Sequence, residues 1–253
     1  LARDEGHDVL AELLERAQVY APEEKEEAPE KIHPLTEFVS LSEAPMAPRW
    51  VIPGFIGQGV TIIAGTHGVG KTTAILPLAM TAAGLHKVGD PLAPEHWRHV
   101  VYIVEDLEQA QRIISGLIKY GNPGFDWQTM CERLHIVEAR RLPPDYVAQA
   151  GKLYREQFTR HAGGVDILPL VVVDTMAATL ELEAENDNSE ASRAMAALKQ
   201  GFDRLPVWLM GHVAKTTISR ADARGMTLRG ASAFEADANQ VLYLAQEGEA
   251  RYL

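Results

Sequence analysis

Between Gly65 and Thr73 the chain reads GTHGVGKTT, a spacing of glycine, lysine and threonine able to hold a polyphosphate. Gly65, Gly68 and Gly70 let the backbone turn tightly enough for consecutive N–H groups to face phosphate oxygens. Lys71 is then in reach of the β- and γ-phosphates, and the Thr72 hydroxyl is placed to ligate Mg2+. Val69 and Thr73 complete the cradle. An apolar β-branched run, VTIIA, precedes the segment, and a run able to continue as a helix follows it. The helix would add the positive end of its dipole. This strand-to-helix context is the one the chemistry requires, so the expected ligands are ATP and Mg2+.

Further carboxylates stand where strands should end. ILPLVVVD, residues 167–174, closes on Asp174, which is expected to hold the Mg2+ hydration shell together with Thr72. HVVYIVED closes on Glu105 and Asp106, either of which can orient and deprotonate water across from a γ-phosphate. Glu105 is the first choice and Asp106 the second; the alternative is that the pair caps the helix beginning near Leu107. VWLMGHVAK carries His212, a candidate γ-phosphate sensor or a structural histidine. From Gly211 to Gly230, Lys215, Arg220, Arg224 and Arg229 face a single acid, Asp222. A basic loop beside a γ-phosphate sensor can grip a nucleic-acid backbone and release it on hydrolysis; an ordinary solvated loop is the alternative.

Strand-like runs at 60–64, 99–104, 134–137, 170–173, 207–210 and 240–244 are mostly short and continuously apolar, as strands buried on both faces should be. Helical patterns at 72–83, 107–120, 145–161 and 189–205 alternate with them. The expected fold is therefore α/β, a mainly parallel twisted sheet flanked by helices with ligands at the carboxyl ends of the strands. Pro77 interrupts the first helical pattern and should kink it or cost about 3 kcal/mol.

The chain has 253 residues, 46% of them hydrophobic, enough for one full core plus an appendage. Residues 8–19 pattern as a short amphipathic helix, and APEEKEEAPE at 21–30 has nothing to bury, so 1–30 is expected to be a helix and acidic linker ahead of a domain at 31–253. One cysteine excludes an internal disulfide framework, and no run approaches the roughly 20 apolar residues of a membrane span, so a cytoplasmic protein with no membrane partner is expected. The first residue is Leu1, consistent with a piece of a longer chain. A net charge of −11 argues against a protein coated in nucleic acid but leaves room for one basic loop.

The motifs GTHGVGKTT, VVYIVED, LVVVDT, ENDN at 185–188, HVAK at 212–215 and RGASAFEADANQVLYL at 229–244 run in order from Gly65 to Leu244. Together they resemble the RecA-like hexameric ATPases, in particular the plasmid- and phage-type replicative helicases. That resemblance implies a RecA-like fold, with Glu105 as catalytic base and Arg229 as a finger on the neighbouring subunit's γ-phosphate. It also implies a hexamer that translocates on single-stranded DNA, for which Lys215, Arg220 and Arg224 of the basic loop are the contacts expected from its charge. Many relatives carry two adjacent histidines before the lysine of HVAK; here the first is Gly211. The stretch LARDEGHDVLAELLERA is similar to the tail that follows a primase domain in primase–helicase fusions. A recombinase-like or regulatory ATPase that assembles on DNA or on a partner is the second expectation. A small-molecule kinase is the third, and it has little use for a remote arginine finger.

Overall fold

The structure, a computed structural model, describes residues 49–120, 126–183, 187–213, 232–247 and 250–253. The chain divides into two units, 1–47 and 48–253, and every described residue belongs to the second. The helix and linker expected within 1–30 lie outside the described residues.

A two-stranded ribbon, β1 (Trp50–Ile52) and β2 (Ile56–Gly57), leads into β3 (Val60–Gly65). Helix α1 (Lys71–Ala82) follows, then β4 (Val100–Val104), α2 (Leu107–Tyr120), α3 (Trp127–Arg133), β5 (Leu134–Glu138) and α4 (Pro144–Phe158). A hairpin of β6 (Arg160–Ala162) and β7 (Val165–Ile167) precedes β8 (Leu170–Asp174) and the single turn α5 (Met176–Thr179). The chain ends with α6 (Asn188–Phe202), β9 (Val207–His212), α7 (Ala233–Asp237), β10 (Gln240–Glu247) and β11 (Ala250–Tyr252).

The main sheet has the order β11-β10-β3-β9-β8-β4-β5. Its first pair is antiparallel, and β10, β3, β9, β8, β4 and β5 run parallel. All residues of β3, β4 and β8 are buried, because alternate side chains feed two cores. On one face Ile63, Tyr102, Val172 and Trp208 pack with Ile75, Leu76 and Ala79 of α1 and Ile114 of α2. On the other, Ile62, Val101, Val173 and Leu209 pack with Met195, Leu198 and Phe202 of α6 and Val147 of α4. Continuous apolar strands are the consequence of helices on both sides.

All six expected strands form. The expected helix 145–161 ends early: Phe158 is its last residue, Thr159 turns extended (φ −69°, ψ 129°), and Gly163 and Gly164 at positive φ close a hairpin that takes Arg160–Ala162 as a strand. The expected helix 189–205 ends at Phe202, where Asp203 and Arg204 adopt positive φ. Helix α1 runs through Pro77. No described helix is long and apolar enough to cross a membrane.

Candidate active site

The parallel register brings several strand tips to one edge of the sheet. Gly65 pairs with His212 across β3 and β9, and Val104 pairs with Asp174 across β4 and β8. On the connectivity, chain leaving β3 crosses β9 and β8 to reach β4, while β10 returns on the other side of β3. Such a reversal of strand order opens a crevice at the carboxyl ends. A cleft of about 630 Å³ lies there, lined by Lys71, Thr72, Glu105, Asp174 and His212, and also by Arg141 of the β5–α4 loop.

Within the loop, Gly68 (φ 77°) and Gly70 (φ 88°) occupy the left-handed region, as a tight phosphate-binding turn demands. Gly65 is there for a different reason. It keeps strand conformation, and a Cβ on it would stand 2.9 Å from Val69 Cγ1 and 3.1 Å from the Leu244 carbonyl oxygen. The expectation that Gly65 supplies a turn is thus corrected: its lack of a side chain lets Val69 and β10 close on the base of the loop. Ala74 N–H is the first to bond back, to Gly70 O at 3.0 Å, so the amides of Lys71, Thr72 and Thr73 stand ahead of the helical ladder. Their positive ends favour an anion.

Lys71 is 7% exposed, and its ammonium donates to Gly65 O and Thr66 O, both at 3.1 Å, and to His212 Nδ1 at 3.2 Å. An ammonium has no lone pair to offer, so Nδ1 accepts and the imidazole proton sits on Nε2 while Lys71 is charged. Burial pulls the Lys71 ammonium below its ordinary value, and the charges of Asp174 and Glu105 oppose that shift. The His67 ring lies 5.8 Å from that of His212.

Thr72 donates to Asp174 Oδ2 at 2.6 Å, and the fully buried Tyr102 hydroxyl donates to the same oxygen at 3.0 Å. Burial pushes the Asp174 carboxyl up; these two bonds and Lys71 pull it down, and the neighbouring Glu105 charge raises it. Burial, with Asp174 beside it, drives the Tyr102 phenol well above its ordinary value, so it remains a donor. Thr72 and Asp174 present only hard oxygen donors, the set that suits Mg2+.

The two acids after β4 separate. Asp106 accepts from Gln109 N–H at 2.8 Å and so caps α2, although it also borders the cleft. The Glu105 carboxylate accepts from Thr175 Oγ1 at 3.1 Å, and its own N–H donates to Asp174 O at 2.7 Å. Glu105 is thereby held across two intervening strands, β9 and β8, from the phosphate loop, facing into the same cleft. Asn188, of the ENDN motif, accepts from Ser232 Oγ and Ala233 N–H, both at 3.3 Å, and so tethers the start of α7. Lys215, Arg220, Arg224 and Arg229 lie outside the described residues.

Sequence reasoning missed Tyr102, Thr175 and Arg141. Tyr102 had a signal: a phenol inside the aliphatic strand VVYIV needs a buried partner for its hydroxyl. Thr175 stood next to Asp174 at the tip of β8 but carried no sign of its bond to Glu105, and Arg141 had no signal, because the β5–α4 connection brings it to the cleft. Leu142, next to Arg141, is pinned by Leu142 N–H to Thr179 O at 3.0 Å and Glu181 N–H to Leu142 O at 2.9 Å.

A central parallel sheet with helices on both faces, a phosphate loop after β3 and acids at the tips of β8 and β4 is a RecA-like P-loop ATPase fold. The chain belongs to the AAA domain family, whose sequence profile matches residues 25–218. Among curated proteins none matches. Solved structures similar to it include two at low identity. One, solved as an ATPase domain, is 17% identical, covering 75% of this chain and 70% of that one at a TM-score of 0.49. The other, a KaiC-like protein from the hyperthermophilic archaeon Pyrococcus horikoshii OT3, is 16% identical, covering 82% and 87% at a TM-score of 0.48.

Proposed function

We propose that this chain is the motor domain of a ring-forming, Mg2+-dependent ATPase that moves along single-stranded DNA. The observation that carries the reading is the placement of Glu105 across one cleft from Lys71 and from the Thr72–Asp174 pair. A carboxylate at that station, with its other side held by Thr175, can orient a water toward a γ-phosphate and take its proton. Thr72 and Asp174 would hold Mg2+, which when bound supplies charge neutralisation on the phosphates. Lys71 must leave Gly65 O, Thr66 O and His212 Nδ1 to reach a phosphate, so the loss of its contact reports occupancy to His212 and to the chain beyond it. By resemblance, Arg229 acts on the neighbouring subunit's γ-phosphate, and Lys215, Arg220 and Arg224 grip the DNA.

Two measurements test the motor reading. Neutralising Lys215, Arg220 and Arg224 should abolish DNA stimulation of the ATPase, spare its basal rate, and flatten log K against log[salt] by about 0.7 for each lost phosphate contact. Unchanged affinity and salt slope in fluorescence anisotropy would remove DNA from this loop. Mixing wild-type with Arg229→Ala subunits should poison activity beyond the mutant fraction, because each mutant inactivates its neighbour's site. Strict proportionality, or open filaments in place of rings with an ATP analogue, would favour an ATPase that assembles on DNA or a partner without translocating.

A further inference from the structure

One side chain of the phosphate loop does nothing for the loop's own fold. His67 stands at the tip, between Thr66 and Gly68, with its imidazole exposed. Gly68 and Gly70 make the turn at positive φ, and the close approach of Val69 to Gly65 shuts its base. The Thr66 carbonyl holds the Lys71 ammonium at 3.1 Å. None of these duties falls to the His67 ring, and among the described residues no hydrogen bond or ion pair engages it. Its ring contact is with His212, 5.8 Å from centre to centre and tilted by 32°.

That contact fixes the end of the cleft that the imidazole faces. His212 Nδ1 is 3.2 Å from Lys71 Nζ, and the ammonium is the part of the loop that reaches the β- and γ-phosphates. The amides of Lys71, Thr72 and Thr73, ahead of the helical ladder, serve the inner phosphates instead. His67 therefore borders the terminal-phosphate end from the loop side, as His212 does from the tip of β9. Glu105, Asp106 and Asp174 line the same cleft, so a terminal phosphate arriving there meets three carboxylates and each N–H donor on the loop side carries weight. An imidazole has one N–H when neutral and two when charged, and either form can donate to a phosphate oxygen. Because the ring is exposed and unbonded, rotation about its two side-chain torsions can aim a nitrogen at the cleft without breaking a hydrogen bond.

We propose that, on the reading of this cleft as an ATP site, His67 is a γ-phosphate contact that makes the site prefer a triphosphate to a diphosphate. Its imidazole donates an N–H to a terminal oxygen while the loop backbone holds the inner phosphates. Lys71 cannot supply this preference alone, because an amine that spans the β- and γ-phosphates contributes to binding of both nucleotides. A donor at the loop tip meets nothing when the γ-phosphate is gone. Hydrolysis thus removes the group that His67 holds, and the diphosphate is left with the backbone cradle and Lys71.

Isothermal titration calorimetry of the 253-residue chain with Mg2+ and either AMP-PNP or ADP tests the assignment. H67A should weaken AMP-PNP about tenfold or more, the loss expected for one hydrogen bond to a charged acceptor, and change ADP by less than about twofold. H67F, which keeps a ring but has no N–H, should lose as much as H67A. In the wild-type protein the His67 ring nitrogens, followed by long-range 1H–15N correlation, should shift with AMP-PNP and stay in place with ADP, a readout that needs no variant to fold. Equal losses for the two nucleotides, undiminished AMP-PNP affinity in H67A or H67F, or the same nitrogen shift with both would overturn the proposal. Each of those results leaves nucleotide binding by the wild type intact. A wild type that binds neither nucleotide would instead overturn the ATPase reading, and this proposal with it.

Discussion

Gly65→Ala separates two reasons for a glycine at the head of a phosphate loop. If the residue supplied a left-handed turn, any side chain would strain the backbone and no second substitution would relieve it. The structure instead puts the added methyl 2.9 Å from Val69 Cγ1, 3.1 Å from Leu244 O and 3.4 Å from Leu244 Cβ. Overpacking of this kind costs about 1–3 kcal/mol, and here it would also press on the turn that holds Lys71. Val69 is 4% exposed, so Val69→Ala by itself removes two buried methyl groups and costs about 1.5 kcal/mol at roughly 0.8 kcal/mol each. In the double variant the new methyl fills part of the space the old ones leave. The cycle should therefore show a favourable coupling of about 1–2 kcal/mol, incomplete because the Leu244 carbonyl remains. Urea denaturation of the four proteins, alongside ATP-analogue affinity, measures it. Additivity within about 0.5 kcal/mol would refute the steric account and restore the turn.

Other outcomes follow from the same geometry. Tyr102→Phe removes a buried donor to a carboxylate and should weaken Mg2+-dependent turnover by roughly 10–100-fold, equivalent to about 1.5–3 kcal/mol, while leaving the urea midpoint less affected; a stability loss with unchanged metal dependence would make Tyr102 a packing residue. Glu105→Gln should keep nucleotide binding and lose hydrolysis by about 10²–10⁴, whereas Asp106→Asn should cost up to about 1 kcal/mol of helix stability in thermal melts and leave turnover near wild type; the reverse pattern exchanges their roles. Gly201→Ala should destabilise by about 1–3 kcal/mol in denaturant, because its methyl would fall 2.4 Å from Ala148 Cβ where α4 and α6 meet. His99 and His135 are both lowered from 6.5, chiefly by burial, so their neutral forms favour the fold. Their contribution is fully present above about pH 6.5 and lost as pH falls through the folded values. Urea midpoints at pH 7.5 and 5 should show this loss, smaller in R160Q, which removes one of the charges opposing protonation of His99.

The phosphate loop and the six parallel strands were legible in the sequence because both depend on local spacing. Gly68, Gly70, Lys71 and Thr72 act within one turn of chain, and a strand buried on both faces must be apolar at every position, as VVYIV and LVVVD are. Chain order could not reveal strand order. Only backbone pairing put β9 and β8 between β3 and β4, and that pairing sets Glu105 across the cleft from Lys71. A long-range bond from Thr175 holds Glu105, while Asp106, which also borders the cleft, caps α2 through the local Gln109 N–H, a difference two adjacent acids cannot express in sequence. Long-range contacts also gave Gly65 its neighbour in β10, far along the chain, and gathered Arg133 and Arg160 onto Trp97 from a helix end and a hairpin that sequence reading had not expected. Periodicity records which face of an element is buried; which other element covers that face is decided only when the whole sheet closes its hydrogen bonds and packs its two cores.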